Sequence, residues 1–227
     1  MSSQPRMVEV RQNVLKQNDV LARALRQRFA DAGVVVISMV STPGAGKTAL
    51  LEYTLTSLRA DGVRVAALVG DLATENDARR LARSEAPVKQ IVTGTICHLD
   101  AAMIQNALAD WNLSDLDALF IENVGNLVCP SSYDLGERFR LVLMSVTEGE
   151  DKPLKYPTIF NTADVCVITK MDLAGAVDFD LIAARENIQA VRPGMRTMEL
   201  SVKSGLGVDA YLQFLRTHVS EPVAVET

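Results

Sequence analysis

Sulfur and imidazole are scarce in this 227-residue sequence. It has three cysteines, Cys97, Cys129 and Cys166, and two histidines, His98 and His218. Three scattered cysteines cannot build a disulfide framework, so a reducing cytoplasm is the expected setting. Positive charge is also short: 23 Lys and Arg stand against 28 Asp and Glu, leaving a net charge of −5. With a pI near 5.1, that balance excludes a general nucleic-acid binder, which needs a basic face. No apolar run approaches the ~20 residues of a membrane span. The N-terminal M-S-S-Q-P-R leads into polar sequence rather than an apolar signal core, so no export is expected. There are no repeats or low-complexity tracts. A 48% hydrophobic content is enough to bury a substantial core.

What is present is a series of short apolar runs alternating with helical patterns. Strands are expected at 34–37, 63–69, 88–92, 118–121, 165–168 and 197–200, with 138–146 as an edge strand. Helices are expected at 47–58, 77–83, 98–111, 179–191 and 208–219. A leading helix over 8–32 has Val10, Val14, Leu21, Leu25 and Phe29 near a 3.6-residue period. Gly33 stops it. The alternation implies an α/β fold with a mostly parallel sheet covered on both faces. The economical division is 1–33 as an appended helix, 34–219 as one domain and 220–227 as a loose tail. Ligands of such sheets bind at the carboxyl ends of the strands. Ser41, Asp71, Glu122, Lys170 and Ser201 all follow apolar runs, so they are expected on one edge.

The stretch S-T-P-G-A-G-K-T-A-L from Ser41 to Leu50 joins a strand to a helix. Gly46, Lys47 and Thr48 fit the end of the phosphate-loop pattern, although Ser41 replaces its first glycine. Gly44 and Gly46 let successive N–H groups, with those of Ala45 and Ala49, converge on phosphate. The helix N-terminus and Lys47 add positive charge, and the Thr48 hydroxyl is a ligand for Mg²⁺. The alternative is a Gly-rich turn with no ligand, which the strand–loop–helix order disfavours. Further carboxylates for Mg²⁺ come from strand ends, at Asp71 and Glu122. Asp77, in D-L-A-T-E-N-D, is either a residue that orients an attacking water or a solvated acid in a helix's first turn. No arginine finger or catalytic glutamine can be assigned, so hydrolysis should be slow.

T-K-M-D, Thr169 to Asp172, resembles the N-K-x-D guanine motif with Thr for Asn. Asp172 can accept from guanine N1–H and its 2-amino group, and the Lys170 stem can lie along the base. S-V-K, Ser201, Val202 and Lys203, resembles the element that closes over it. Thr169 is the departure, since a hydroxyl cannot copy every hydrogen bond of an amide. Cys97-His98 and Cys129 follow strands expected to end on the same edge, and two thiolates with an imidazole suit Zn²⁺ or Ni²⁺. Spacing alone favours the plainer reading, two small buried cysteines and one hydrogen-bonded histidine. Three ligands are one short of a tetrahedral site, which a water or a second subunit would complete. Cys166 lies within an apolar strand and His218 late in the last helix, where solvent is expected.

Several longer stretches together are similar to one family, the HypB nickel-incorporation GTPases of hydrogenase maturation. They include P-G-A-G-K-T, G-D-L-A-T-E-N-D, T-G-T-I-C-H-L-D-A, F-I-E-N-V-G-N-L-V-C-P, D-L-G-E, V-T-E-G-E-D-K-P-L-K-Y-P and K-M-D-L. The resemblance covers nearly the whole chain. It implies a P-loop NTPase fold of the SIMIBI type and Mg-dependent hydrolysis of GTP to GDP. It also implies Cys97, His98 and Cys129 as nickel or zinc ligands, Glu122 and Gly125 as the switch, and Lys170 and Asp172 as base readers. GTP-favoured homodimerisation and work with a small HypA-type chaperone on a hydrogenase large-subunit precursor are implied as well. The N-terminal cysteine motif or histidine-rich tract of many members is missing here, so no nickel storage is expected. Rival readings are a metallochaperone GTPase for another nickel enzyme such as urease, and a metal-binding adaptor with structural nucleotide. The run from Phe120 to Pro130 speaks against the urease type. A small-molecule kinase has no acceptor pocket that can be named.

Overall fold

A computed structural model describes residues 6–71 and 76–220. Within them, seven strands form one parallel sheet: β1 (Val35–Ser41), β2 (Val65–Asp71), β3 (Val88–Val92), β4 (Ala118–Glu122), β5 (Phe139–Ser145), β6 (Val165–Thr169) and β7 (Arg196–Glu199). Their order is β3-β2-β4-β1-β5-β6-β7. The helices are α1 (Arg6–Ala32), α2 (Lys47–Ala60), α3 (Asn76–Leu81), α4 (Ala101–Ala107), α5 (Lys152–Lys155), α6 (Pro157–Thr162), α7 (Leu181–Val191) and α8 (Val208–Ser220). None of the described helices is long and apolar enough to cross a membrane. The expected tail at 221–227, and 72–75 of D-L-A-T-E-N-D, lie outside the described residues.

Strand alternation builds the layers. Val35, Ile37 and Met39 of β1 face Leu51 and Leu55 of α2 and Tyr211 and Leu215 of α8. Val36 points to the other side, against Ala22, Leu25 and Phe29 of α1 and Ile104 of α4. On that same side, Val40 joins Phe160 of α6 and Ile188 of α7. Every β1 residue is buried, as expected for a central strand covered on both faces.

Several expectations needed correction. The segment expected as an edge strand is β5, an interior strand between β1 and β6. Its weak alternation reflects burial on both faces, and Arg140 within it is buried by pairing with Glu137. The helix expected over 98–111 begins only at Ala101, because the Asp100 side chain accepts from Met103 N at 2.8 Å and caps it. His98 therefore sits in the loop ahead of it. Val14 of α1 is 46% exposed rather than part of the core face. His218 is not simply solvated; it packs against Phe139 and Phe214, with ring centroids 4.6 and 4.5 Å away. The short α5 and α6, which begin around Pro153 and Pro157, carry no long periodic pattern and were not anticipated.

One buried polar network ties β1, β5 and the loop before β5. Arg140 Nε donates to Glu137 Oε1 at 2.8 Å, and Arg140 Nη2 donates to the Tyr133 carbonyl at 2.7 Å. Glu137 also accepts from Ser38 Oγ at 2.9 Å and from Leu135 N at 2.8 Å. The two side chains are only 9% and 6% exposed, so removing one partner strands a buried charge. Arg140→Ala should cost about 3–5 kcal/mol in urea unfolding, with much of the loss recovered in the Glu137→Leu, Arg140→Met pair. A loss under about 1 kcal/mol would mean that solvent reaches the pair.

Candidate functional site

The phosphate loop leaves β1 at Ser41 and enters α2 at Lys47. Gly44 (φ 76°) and Gly46 (φ 96°) adopt left-handed backbone that other residues resist. Gly46 caps α2 without a side-chain bond, which leaves the first-turn N–H groups to a ligand. Lys47 Nζ donates to Ser41 Oγ at 2.9 Å. Ser41 thus gives the departure from the glycine pattern a use, holding the lysine ammonium. Burial lowers the Lys47 pKa, and the carboxylates of Glu122, Asp77 and Glu148 oppose that shift.

Thr48 Oγ1 donates to Glu122 Oε1 at 2.7 Å. Glu122 ends β4 at 2% exposure, and its Oε2 is buried without a partner. Burial pushes its pKa up to about 7, against the pull of Lys47 and the Thr48 bond. An orphaned carboxylate oxygen beside a threonine hydroxyl and a phosphate loop is a donor set that fits a hard cation such as Mg²⁺. Asp71 ends β2, half-buried, two residues beyond the Val69–Glu122 register pair. Asp77 lies half-buried in the first turn of α3, close enough to act on both Lys47 and Glu122.

A cavity of 240 Å³ opens beside the loop, lined by Gly46, Ala49, Lys170, Asp172, Ser201, Val202 and Lys203 among others. Ser201 Oγ donates to Asp172 Oδ1 at 2.6 Å, and Lys170 Nζ donates to the Gly44 carbonyl at 2.6 Å. Thr169 Oγ1 reaches the Ala45 carbonyl at 2.6 Å. The hydroxyl at this unusual position therefore ties the base-side strand to the phosphate loop.

The third cluster joins two loops. Cys97 and Cys129 are free thiols with Sγ atoms 2.8 Å apart, and ligand atoms of Cys97, His98 and Cys129 lie within 4.8 Å of one another. His98 Nδ1 is buried without a partner, and its ring lies 4.0 Å from that of Tyr133. The hydrogen bond shared with Cys129 and then burial raise the Cys97 pKa. A cation binding there must displace thiol protons. This geometry removes the reading of two separate core cysteines. Cys166 is fully buried in β6, and burial raises its thiol pKa far above the usual range. It is core, as expected.

Asn123, Asn126, Tyr133 and Glu148 lie near these sites and carried no assigned role in the sequence reading, whereas Gly125 was expected as part of the switch. Asn123 Oδ1 accepts from Leu99 N at 3.0 Å, and Asn126 Nδ2 donates to the Cys97 carbonyl at 3.3 Å. Gly125 lies so close to Pro43 that a Cβ would meet it at 3.0 Å. The segment after Glu122 therefore touches the phosphate loop and holds the Cys97–Leu99 backbone. Tyr133 stacks on His98, and Glu148 receives the Thr42 hydroxyl and pairs with Lys152 at 3.0 Å. Glu148 lies in the quoted V-T-E-G-E-D-K stretch, whose spacing alone signals no chemistry.

Residues 34–199 match the family described as CobW/HypB/UreG, nucleotide-binding domain. The hydrogenase maturation factor HypB of Escherichia coli K12 is 46% identical over 215 residues, covering 95% of this chain and 74% of that protein. A crystal structure of HypB from Helicobacter pylori in complex with nickel superposes with a TM-score of 0.85 at 38% identity, covering 93% of this chain and 99% of that one. HypB from Archaeoglobus fulgidus gives 0.84 at 38% identity, covering 90% and 100%. The glycine-rich loop, the cavity beside it and the paired thiols thus stand on a P-loop fold shared with these proteins, and the chain belongs to the HypB family of hydrogenase maturation factors.

Proposed function

We propose that this protein is a GTP-hydrolysing metallochaperone that carries Ni(II), or Zn(II), at Cys97, His98 and Cys129 and supports nickel insertion into a nickel–iron hydrogenase. The observation that carries the reading is the single segment running from Glu122, bonded to Thr48, to Asn123 and Asn126, bonded around Cys97 and His98. Gly44, Ala45, Gly46, Lys47, Thr48 and Ala49 hold the phosphates. Lys170, Asp172, Ser201, Val202 and Lys203 receive guanine. Thr48, Glu122 and Asp71 would hold Mg²⁺, which supplies charge for the phosphate oxygens. Asp77 orients the attacking water, and turnover is slow, since no arginine finger is assigned among the described residues.

Nucleotide exchange shifts Glu122, and the asparagines that follow it pass that shift to the Cys97 backbone. Cys129 moves with the same segment, so metal affinity differs between GTP and GDP states. Two thiolates and an imidazole match the softness of the cargo. Delivery draws on a HypA-type chaperone, a hydrogenase large-subunit precursor and a GTP-favoured homodimer, in the cytoplasm.

Lys47→Ala should lower GTP turnover by about 100-fold or more, since it removes charge stabilisation at the transferring phosphate. Unchanged turnover would favour an adaptor whose nucleotide is only structural. In equilibrium titrations, Ni(II) affinity should differ between protein loaded with GDP and with a non-hydrolysable GTP analogue. Linkage then requires Ni(II) to alter the analogue's affinity by the same factor, and Cys97→Ala should abolish both effects. Equal Ni(II) affinity in the two states removes the switch.

The raised pKa of Glu122 makes a pH-dependent prediction. Its folded state prefers the protonated carboxyl, so no penalty exists below its ordinary 4.5, and the full penalty exists above about 7. Glu122→Gln should therefore gain stability over wild type as pH rises through that window, by about 3 kcal/mol at pH 8 in the absence of nucleotide. A pH-independent difference in urea unfolding between pH 4 and 8 would show that Glu122 is not buried as a charge.

A further inference from the structure

The Cys97–His98 loop and the loop after Cys129 are joined a second time, from the far side, by α1. Asn18 is buried at 5% exposure within that helix. Its Oδ1 accepts from Ala101 N at 2.9 Å, three residues after His98. Its Nδ2 donates to the Asp134 carbonyl at 2.9 Å, next to Tyr133. One amide therefore uses both ends on the two segments that meet at the paired thiols. Two more contacts hold the second segment to α1. Arg26 Nη2 reaches both carboxylate oxygens of Asp134 at 2.8 Å. Gly136 fits so closely that a Cβ there would meet the Ala22 carbonyl and Leu25 Cβ, both at 2.9 Å.

We infer that Asn18 is a positioning residue for the metal cluster, setting the Cys97–His98 loop and the Tyr133 ring in register through its two hydrogen bonds. The inference rests on the metal-carrying reading above. His98 lies between the two anchored points: its chain neighbours lead to Ala101, and its ring lies on Tyr133. The buried unpartnered His98 Nδ1 depends on that ring being held in one orientation. Asn18 bonds no candidate ligand itself; it holds the backbone just beyond His98 and Tyr133, and so acts on the ligand through the chain. Aspartate at this position would keep the acceptor for Ala101 N but place a carboxylate against the Asp134 carbonyl.

The test compares wild type, Asn18→Ala, Asn18→Asp and Arg26→Ala by Ni(II) titration and by the thiolate-to-metal charge-transfer spectrum of bound Co(II). A labelled GDP analogue and thermal melting serve as fold controls. Asn18→Ala should weaken Ni(II) binding by about tenfold and change the Co(II) spectrum, with GDP affinity unchanged. Asn18→Asp should lose at least as much, since its buried carboxylate faces the Asp134 carbonyl. Arg26 is exposed, so Arg26→Ala leaves the helix intact and should show a smaller loss with the same spectral change, even if the Asn18 variants misfold. Wild-type metal affinity and spectrum in the folded variants would overturn the proposal. So would metal and GDP affinities falling together with the melting temperature. Cys97-independent Ni(II) uptake by wild type would overturn the metal reading itself, and the brace with it.

Discussion

Keeping a carboxylate away from water is costly unless charge or hydrogen bonds compensate, and Glu122 is held at the end of β4 with only partial compensation. One oxygen receives the Thr48 hydroxyl and the other receives nothing. Lys47, itself nearly buried, supplies the nearest positive charge. Both groups are desolvated by the same packing, and each charge is stabilised by the other. The central strands β1 and β4 fix this arrangement, with Met39 opposite Glu122 in the parallel register. The phosphate loop, the carboxylate and the loop that follows it are consequently one mechanical unit.

That unit reaches the Cys97 loop through hydrogen bonds between the Asn123 and Asn126 side chains and the backbone of that loop. Asn123 is 2% exposed, and it receives Leu99 N as well as its own neighbour Val124 N. A fully used buried acceptor resists independent motion, because losing either bond strands an N–H away from water. On the opposite side, α1 and the Glu137–Arg140 pair hold the Tyr133 segment. The Cys97, His98 and Cys129 cluster lies between the segment that follows Glu122 and the segment braced by α1.

Parts of this were legible in the residues themselves. Gly44, Gly46, Lys47 and Thr48 lie within five positions, and their geometry follows from local backbone preference and the helix start. The apolar runs of β1, β2, β4 and β6 announce buried strands by composition alone. Thr169 shows the limit of such pattern reading. As a substitute for Asn it suggested a weaker base site, whereas its hydroxyl is spent on the Ala45 carbonyl. The spacing of Cys97, His98 and Cys129 favoured ordinary core residues, and the long shared stretches pointed instead to ligands.

What only the tertiary structure decided has a common physical cause: the contacts concerned span large separations set by strand order. Cys97 meets Cys129 across 32 residues, and Asn18 meets Ala101 and Asp134 across 83 and 116. Each depends on which crossover places which loop beside which, information that no window of neighbouring side chains contains. The interior position of β5 is of the same kind, since its own residues do not announce that β1 and β6 flank it on both sides. Local chemistry in the chain determined where the glycine-rich loop would form and which runs would be buried. The sheet order determined what that site could be connected to.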